Sequence, residues 1–162
     1  EKYLQDNCDG YIIARLAKVF GSELGDGTIF TNWLDVIDRT DSIKCAADQI
    51  FSPVYINNVV EAITRLIEND CNGIFHVCSR KPFARIELLK ILLSCVNKYI
   101  SKNIKLIPCS IHDFELREER PLNISMIPDK LIKATGIQLS DIEDICKIIV
   151  KNKFEKHEKR YG

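Results

Sequence analysis

The chain lacks net charge. Lysine plus arginine, 23, equals aspartate plus glutamate, 23, over 162 residues. Such a balance gives no electrostatic case for nucleic acid or an anionic membrane as partner, although a small anionic ligand needs only one or two local cations. It also lacks a long apolar run: nothing approaches the ~20 residues of a membrane span, and no signal peptide opens it. Neither C-x-x-C nor a cysteine/histidine metal spacing occurs, so no metal site is expected. The seven cysteines, at 8, 45, 71, 78, 95, 109 and 146, are odd in number. Several lie in apolar runs, where a thiol acts as a small hydrophobe. They read as reduced thiols of a cytoplasmic protein. Methionine is nearly absent as well: the one Met is Met126, and residue 1 is Glu1. Glu1 to Gln5 reads as the inside of a helix with no N-cap before it, so the expectation is a piece of a longer protein.

What is present alternates between strand and helix. Glu1 to Asn7 is a helix tail stopped by Asp9-Gly10. Tyr11–Ala17, Ile43–Ala47, Gly73–Val77 and Ile104–Ile107 are short apolar strands, the last closed by Pro108. Gly21 to Gly27 is a loop with three glycines, and Thr28 to Asp38 has helical spacing. Asp48 to Pro53 is a turn-like connection. Asn58 to Asn69 predicts a helix with stripe Val59, Ile63, Leu66 and Ile67, opened by Asn58 with Glu61 as a capping box. Arg85 to Tyr99 predicts a second long helix, with Ile86, Leu89, Leu92, Leu93 and Val96 inward. Pro128 to Gly136 is a short helix, proline at its start and glycine past its end. Ser140 with Glu143 opens a last helix, striped by Ile142, Ile145, Cys146 and Ile149. The sum is a soluble α/β domain with parallel pairing, residues 1–150, and a charged, fraying tail over 151–162.

Four stretches, in order, resemble the C-terminal half of dTDP-4-dehydrorhamnose reductases and their sugar-nucleotide relatives. Arg15-Leu16-Ala17-Lys18-Val19-Phe20-Gly21 is similar to R-x-x-x-V-Y-G. Thr31-Asn32-Trp33-Leu34 resembles the N-F-[VI] that follows it. Asp48-Gln49-Ile50-Phe51-Ser52-Pro53, continuing to Val59, resembles D-Q-x-G-[SA]-P-T-x-[VA]-x-D-[LV]. Arg120-Pro121-Leu122-Asn123, with Asp129-Lys130-Leu131, resembles R-P-x-N-S-x-L-D-x-x-K-L. Between them, Gly73 to Val77 and Phe83-Ala84-Arg85-Ile86-Glu87-Leu88 resemble G-[IV]-[YF]-H-V and x-S-[RW]-x-E-[LF].

The resemblance implies the distal part of a doubly wound, Rossmann-like parallel sheet with a small mixed substrate-binding lobe. It implies reduction of a keto group on a nucleotide-activated deoxy-sugar by NADPH or NADH, within an extended short-chain dehydrogenase. The tyrosine and lysine of Y-x-x-x-K and the turn G-x-x-G-x-x-G would precede residue 1, so no catalytic or cofactor-binding residue is assigned here. Three substrate-binding candidates follow. Lys18 is a point charge within reach of a diphosphate, or a lysine facing water. Asn32 is a short amide at a helix start, where anions are favoured, or an ordinary cap. Arg120 is a fork donor fixed by the following proline, or an ion-pair partner of Glu118 or Glu119.

Phe51 stands where epimerases and dehydratases of this class carry a phosphate-holding arginine, which favours the reductase branch. Ser52-Pro53 reads as structural, and Trp33 as core. Two other readings stay open: a non-catalytic NADP-binding regulatory subunit similar to the methionine adenosyltransferase beta subunit, and a nucleotide-sugar epimerase or dehydratase. The expected partners are the nucleotide sugar and a second copy or another protein.

Overall fold

The computed structural model describes residues 1–116 and 118–161, and of 156–161 the backbone alone. The elements in chain order are α1 (Lys2–Asn7), β1 (Ile12–Leu16), β2 (Val19–Phe20), α2 (Ile29–Arg39), β3 (Ser42–Ala46), β4 (Ile50–Phe51), β5 (Val54–Tyr55) and α3 (Ile56–Glu68). There follow β6 (Gly73–Val77), β7 (Phe83–Ala84), α4 (Arg85–Val96), β8 (Lys105–Cys109), a 3-10 turn (Ile111–Asp113), β9 (Asn123–Ile124), α5 (Asp129–Thr135) and α6 (Ile142–Tyr161).

Two parallel pairs carry the bulk of the strand structure. β1 runs beside β6, Ile12 opposite Gly73 through Leu16 opposite Val77. β3 runs beside β8, Ser42 opposite Lys105 through Ala46 opposite Cys109. Each pair is crossed over by helix, as parallel strands require. Around β1–β6, helices α3 and α5 bury Val59, Ala62, Leu66, Leu131 and Ile137 against Phe75 and Val77. Around β3–β8, helices α2, α4 and α6 bury a larger core that includes Trp33, Leu34, Leu88, Leu89, Leu92, Cys146 and Ile149. This is the mixed α/β arrangement with parallel pairing that the alternation of patterns predicts.

Three expectations need correction. The connection 48–53 is not a turn: it holds β4, the middle of a three-stranded sheet in the order β7-β4-β9. Two-residue strands have too few side chains to show alternation, so periodicity misses them. β8 runs on through Pro108 to Cys109 rather than closing before it. Proline is tolerated at a strand position whose N–H has no ladder partner.

The helix caps are the third correction. α3 starts at Ile56 with Tyr55 as N-cap, two residues before the expected Asn58. Asn58 is instead buried, and its Oδ1 accepts from the Ser140 N–H at 3.0 Å. That bond ties α3 to the entry of α6 and rotates the expected stripe: Ala62 lies at the inward centre, while Ile67 is 62% exposed. With its N–H engaged, Ser140 does not open α6. Asp141 does, its Oδ1 accepting from the Glu143 N–H at 2.8 Å. The cap of α5 is as expected, with Gly136 in the left-handed region at φ 64°, a conformation open to residues without Cβ.

The expected tail is helical, because α6 continues to Tyr161. Lys153 is 6% exposed. Its Nζ donates to the Leu34 carbonyl at 3.0 Å and pairs with Asp38 at the C-terminal end of α2. Phe154 stacks on Tyr99, ring centroids 5.1 Å apart and planes 7° from parallel. The rest of the expected tail, the side chains of 156–162, lies outside the described residues. Lys153→Ala removes the second donor to the Leu34 carbonyl, which keeps the Asp38 N–H of its own helix, together with the pair to Asp38, and should cost about 1 kcal/mol. The expected readout is a lower urea midpoint at unchanged slope. Asp38→Asn should cost less, since the Asp38 side chain is 48% exposed and water screens the pair.

Candidate functional site

The sheet β7-β4-β9 gathers residues from three distant segments. Ile50 pairs with Ala84 on one side and Asn123 on the other. The flanking residues are thereby fixed: Gln49 before β4, Arg85 after β7, and Arg120-Pro121 leading into β9. The Arg85 N–H donates to the Gln49 carbonyl at 2.9 Å, and the Ile50 N–H to the Leu122 carbonyl at 2.7 Å. Asp48 pins the entrance to β4 from below. Its carboxylate accepts from Ser110 Oγ at 2.5 Å and from the Ile111 N–H at 2.9 Å, and these bonds hold it below its usual pKa.

Over this sheet lies a groove of about 370 Å³ lined by Leu16, Lys18, Gln49, Phe51, Arg85 and Arg120, among others. A second hollow, of about 350 Å³, opens beside it along α2 and shares Lys18 and Arg85; Asn32, Trp33 and Thr28 line it too. The three residues singled out from sequence therefore fall on one continuous surface. Lys18 belongs to both hollows, Arg120 to the first and Asn32 to the second.

Three cations face this surface, and neither hollow has an aspartate or glutamate in its lining. The ion pair of Arg120 with Glu118 or Glu119 does not form, and no carboxylate among the described residues pairs with Arg120, Arg85 or Lys18. The Lys18 ammonium is held below its usual pKa, first by desolvation and then by repulsion from Arg85 and Arg120. The Arg85 guanidinium is likewise lowered, chiefly by burial, with Arg120 adding to the effect and the Cys45 thiol opposing it. The three cations thus lie together on one surface with no carboxylate among its lining residues.

Arg85 is the residue that sequence reasoning passed over. Its position is the [RW] of the motif quoted for residues 83–88, and only the β4–β7 pairing turns it toward Lys18 and Arg120. Its Nη1 donates to Gln49 Oε1 at 3.2 Å, and its guanidinium lies 5.7 Å from the Trp33 ring centroid. Trp33, expected in the core, is buried there and also lends its ring to this contact.

Asn32 stands differently from its expected place. The N-cap of α2 is Thr28, so Asn32 lies a turn into the helix and its N–H already serves the Thr28 carbonyl at 3.0 Å. Its side-chain Nδ2 donates to the Gly27 carbonyl at 2.9 Å. The helix start is filled from within the chain. Asp26 Oδ1 accepts from the Thr28 N–H at 2.9 Å and from Thr31 Oγ1 at 2.6 Å. The same carboxylate lies so close over Gly21 that a Cβ there would sit 2.3 Å from Asp26 Oδ2.

The strand–glycine-loop–helix passage from β2 to α2 has the order of elements that holds a dinucleotide pyrophosphate, and it does not fit one. The Asp26 carboxylate takes the Thr28 N–H and the Thr31 hydroxyl, and its negative charge at the loop opposes a phosphate there. No nicotinamide-binding step is assigned to these 162 residues. Phe51 is 2% exposed, packed into the core below the groove. The argument from its ring against an epimerase loses its force, because Arg85 supplies a guanidinium to the same groove.

Comparison with known proteins agrees with this architecture. The dTDP-4-dehydrorhamnose reductase of Sinorhizobium fredii (strain NBRC 101917 / NGR234) is 23% identical over 124 residues, 72% of this chain and 42% of that protein. The solved dTDP-4-dehydrorhamnose reductase of Bacillus anthracis str. Ames, in complex with NADP, superposes with a TM-score of 0.75 at 20% identity, over 93% of this chain and 51% of that one. The corresponding structure from Clostridium acetobutylicum ATCC 824 gives 0.74 at 16% identity, over 89% and 49%. The present chain spans about half the length of these proteins or less. At such identities the structural likeness establishes the mixed α/β, Rossmann-like fold and no more. The family model described as the RmlD substrate binding domain matches residues 1–153, and the chain belongs to that family.

Proposed function

We propose that this chain is the substrate-holding part of an NAD(P)H-dependent nucleotide-sugar reductase, and that Lys18, Arg85 and Arg120 bind the substrate's diphosphate. The observation that carries the reading is the convergence of three cations on a groove whose lining has no carboxylate. Some cations elsewhere do have carboxylate partners, as Arg15 with Glu1, Arg65 with Glu61, and Lys147 with Glu143 and Asp144, whereas the three in the groove stand together with none. Family membership supplies the substrate class, and the reductases it resembles supply the reaction.

In this reading Arg120 and Arg85 offer planar forks to the phosphate oxygens and Lys18 a compact charge between them. Asn32 Oδ1, free while Nδ2 holds the loop, faces the neutral part of the ligand. A nicotinamide cofactor bound by the whole protein would supply the hydride. The chain's own share is to fix the sugar nucleotide by its charged end, so that the keto carbon is held in one place.

Arg120→Ala in the whole protein should lower kcat/KM about tenfold to a hundredfold, as expected for loss of a charge-assisted bond of roughly 1.5–3 kcal/mol. Arg120→Lys should recover part of that, since an ammonium cannot reproduce the fork. Asn32→Ala should cost less, about 1 kcal/mol for a neutral bond. Unchanged kinetics in Arg120→Ala, with an unchanged urea midpoint, would remove Arg120 from the site.

The charge of Lys18 sets a pH dependence. Its pKa lies below the ordinary 10.5, so it loses its proton earlier than a solvated lysine as pH rises. Affinity for a nucleoside diphosphate is full below that lowered pKa and should fall as pH climbs through it. In Lys18→Met, calorimetric titration at several alkaline pH values should show weaker binding with this limb flattened. A limb that persists in Lys18→Met would assign the titration to another group.

A further inference from the structure

We infer that Gln49 is a positioning residue whose neutrality is functional: it holds the Arg85 guanidinium into the groove without cancelling its charge. The inference deepens the diphosphate reading of this groove and rests on it.

Gln49 is 4% exposed and lines the groove. It holds Arg85 twice, by its carbonyl to the Arg85 N–H at 2.9 Å and by its Oε1 to Arg85 Nη1 at 3.2 Å. The first bond belongs to the β4–β7 pairing and would form with any residue at position 49. The second depends on the side chain. On its other sides the guanidinium meets the Trp33 ring and the Cys45 thiol. Among the described residues, the groups in contact with the Arg85 guanidinium are therefore uncharged.

A partly buried guanidinium ordinarily takes a carboxylate partner, because an uncompensated charge in a poorly solvated place is costly. Glutamate has nearly the shape of glutamine and would make the stronger bond. It would also create an internal ion pair, leaving Arg85 little attraction for a phosphate. The amide oxygen makes the opposite compromise, with weaker orientation and the full positive charge kept for the ligand. A structural role alone predicts that Gln49→Glu is harmless or stabilising. A role in presenting charge predicts that it impairs anion binding while the fold is unharmed.

The test is calorimetric titration of the whole protein with inorganic pyrophosphate and with thymidine diphosphate, alongside thermal unfolding. Gln49→Glu should weaken binding of both probes about tenfold or more, the scale of one charge-assisted contact withdrawn, without lowering the melting temperature. Equal affinity in wild type and Gln49→Glu would overturn the inference.

A double-mutant cycle covers the case in which Gln49→Glu does not fold. Gln49→Met should weaken pyrophosphate binding in the wild-type background and have no effect in Arg85→Met, because Gln49 acts through Arg85. An equal effect in both backgrounds would overturn the inference. Absence of pyrophosphate and thymidine diphosphate binding in the wild type is a different outcome: it refutes the diphosphate reading itself, whatever the variants do.

Discussion

The molecule depends on the double pairing of one short strand. Ile50-Phe51 is hydrogen-bonded antiparallel to Phe83-Ala84 and parallel to Asn123-Ile124. Those two partners lie far from it and from each other in sequence, and each brings a cation at its end. Phe51 anchors the strand by burying its ring in the larger core, and Ser52 anchors the next step. Ser52 Oγ donates to the Met126 carbonyl at 3.0 Å and accepts from the Met126 N–H at 3.2 Å. Backbone ladders are directional and short in reach, so they place Arg85 and Arg120 more narrowly than flexible side chains could arrange themselves. The groove is a consequence of that small sheet, and the two larger cores are the frame against which it is held.

Its electrostatics follow from segregation of charge within a chain that is neutral overall. A net charge of zero says nothing about local potential. Acidic groups close to the site are turned to other work. Asp26 closes the loop over Gly21 and holds Thr28 and Thr31 at the start of α2, and Asp48 holds Ser110 and the 3-10 turn. Both carboxylates sit near the groove in sequence, and both are hydrogen-bonded in ways that favour their charged form. Neither lines the hollows around Arg85 and Arg120. Its nearby anions thus serve as structural acceptors, and the groove cations have no carboxylate partner among the described residues.

Much of this could be read from residues alone. The helical runs of α2, α4 and α6 and the strands β1, β3 and β6 announce themselves because apolar side chains repeat at a helix or strand period over enough residues. The order of the motifs around Arg15, Asn32, Gln49 and Arg120 was sufficient to point to the sugar-nucleotide reductases, and the family match over residues 1–153 agrees. Lys18, Asn32 and Arg120 were legible as candidates from the motifs they stand in, each beside an ordinary reading as a solvated lysine, a helix cap or an ion-pair partner.

Tertiary structure decided what has no period. Strands of two residues carry no alternation, so β4, β7 and β9 were invisible, and with them the reason Arg85 joins the site. Caps were misplaced for a related reason. Asn58 and Ser140 look like caps locally, but they are joined by a hydrogen bond across 82 positions, and local patterns cannot report a long-range partner. The charged stretch after Val150 looked solvated because composition weighs Lys153 by its charge, whereas the fold buries it against the Leu34 carbonyl and Asp38. Sequence by itself determined the longer helices and strands, because those follow from local propensity and the spacing of apolar residues, and its ordered motifs pointed to the family by resemblance. Only the folded chain decided which charges meet and which are cancelled, because that is set by hydrogen bonds between residues that sequence holds far apart.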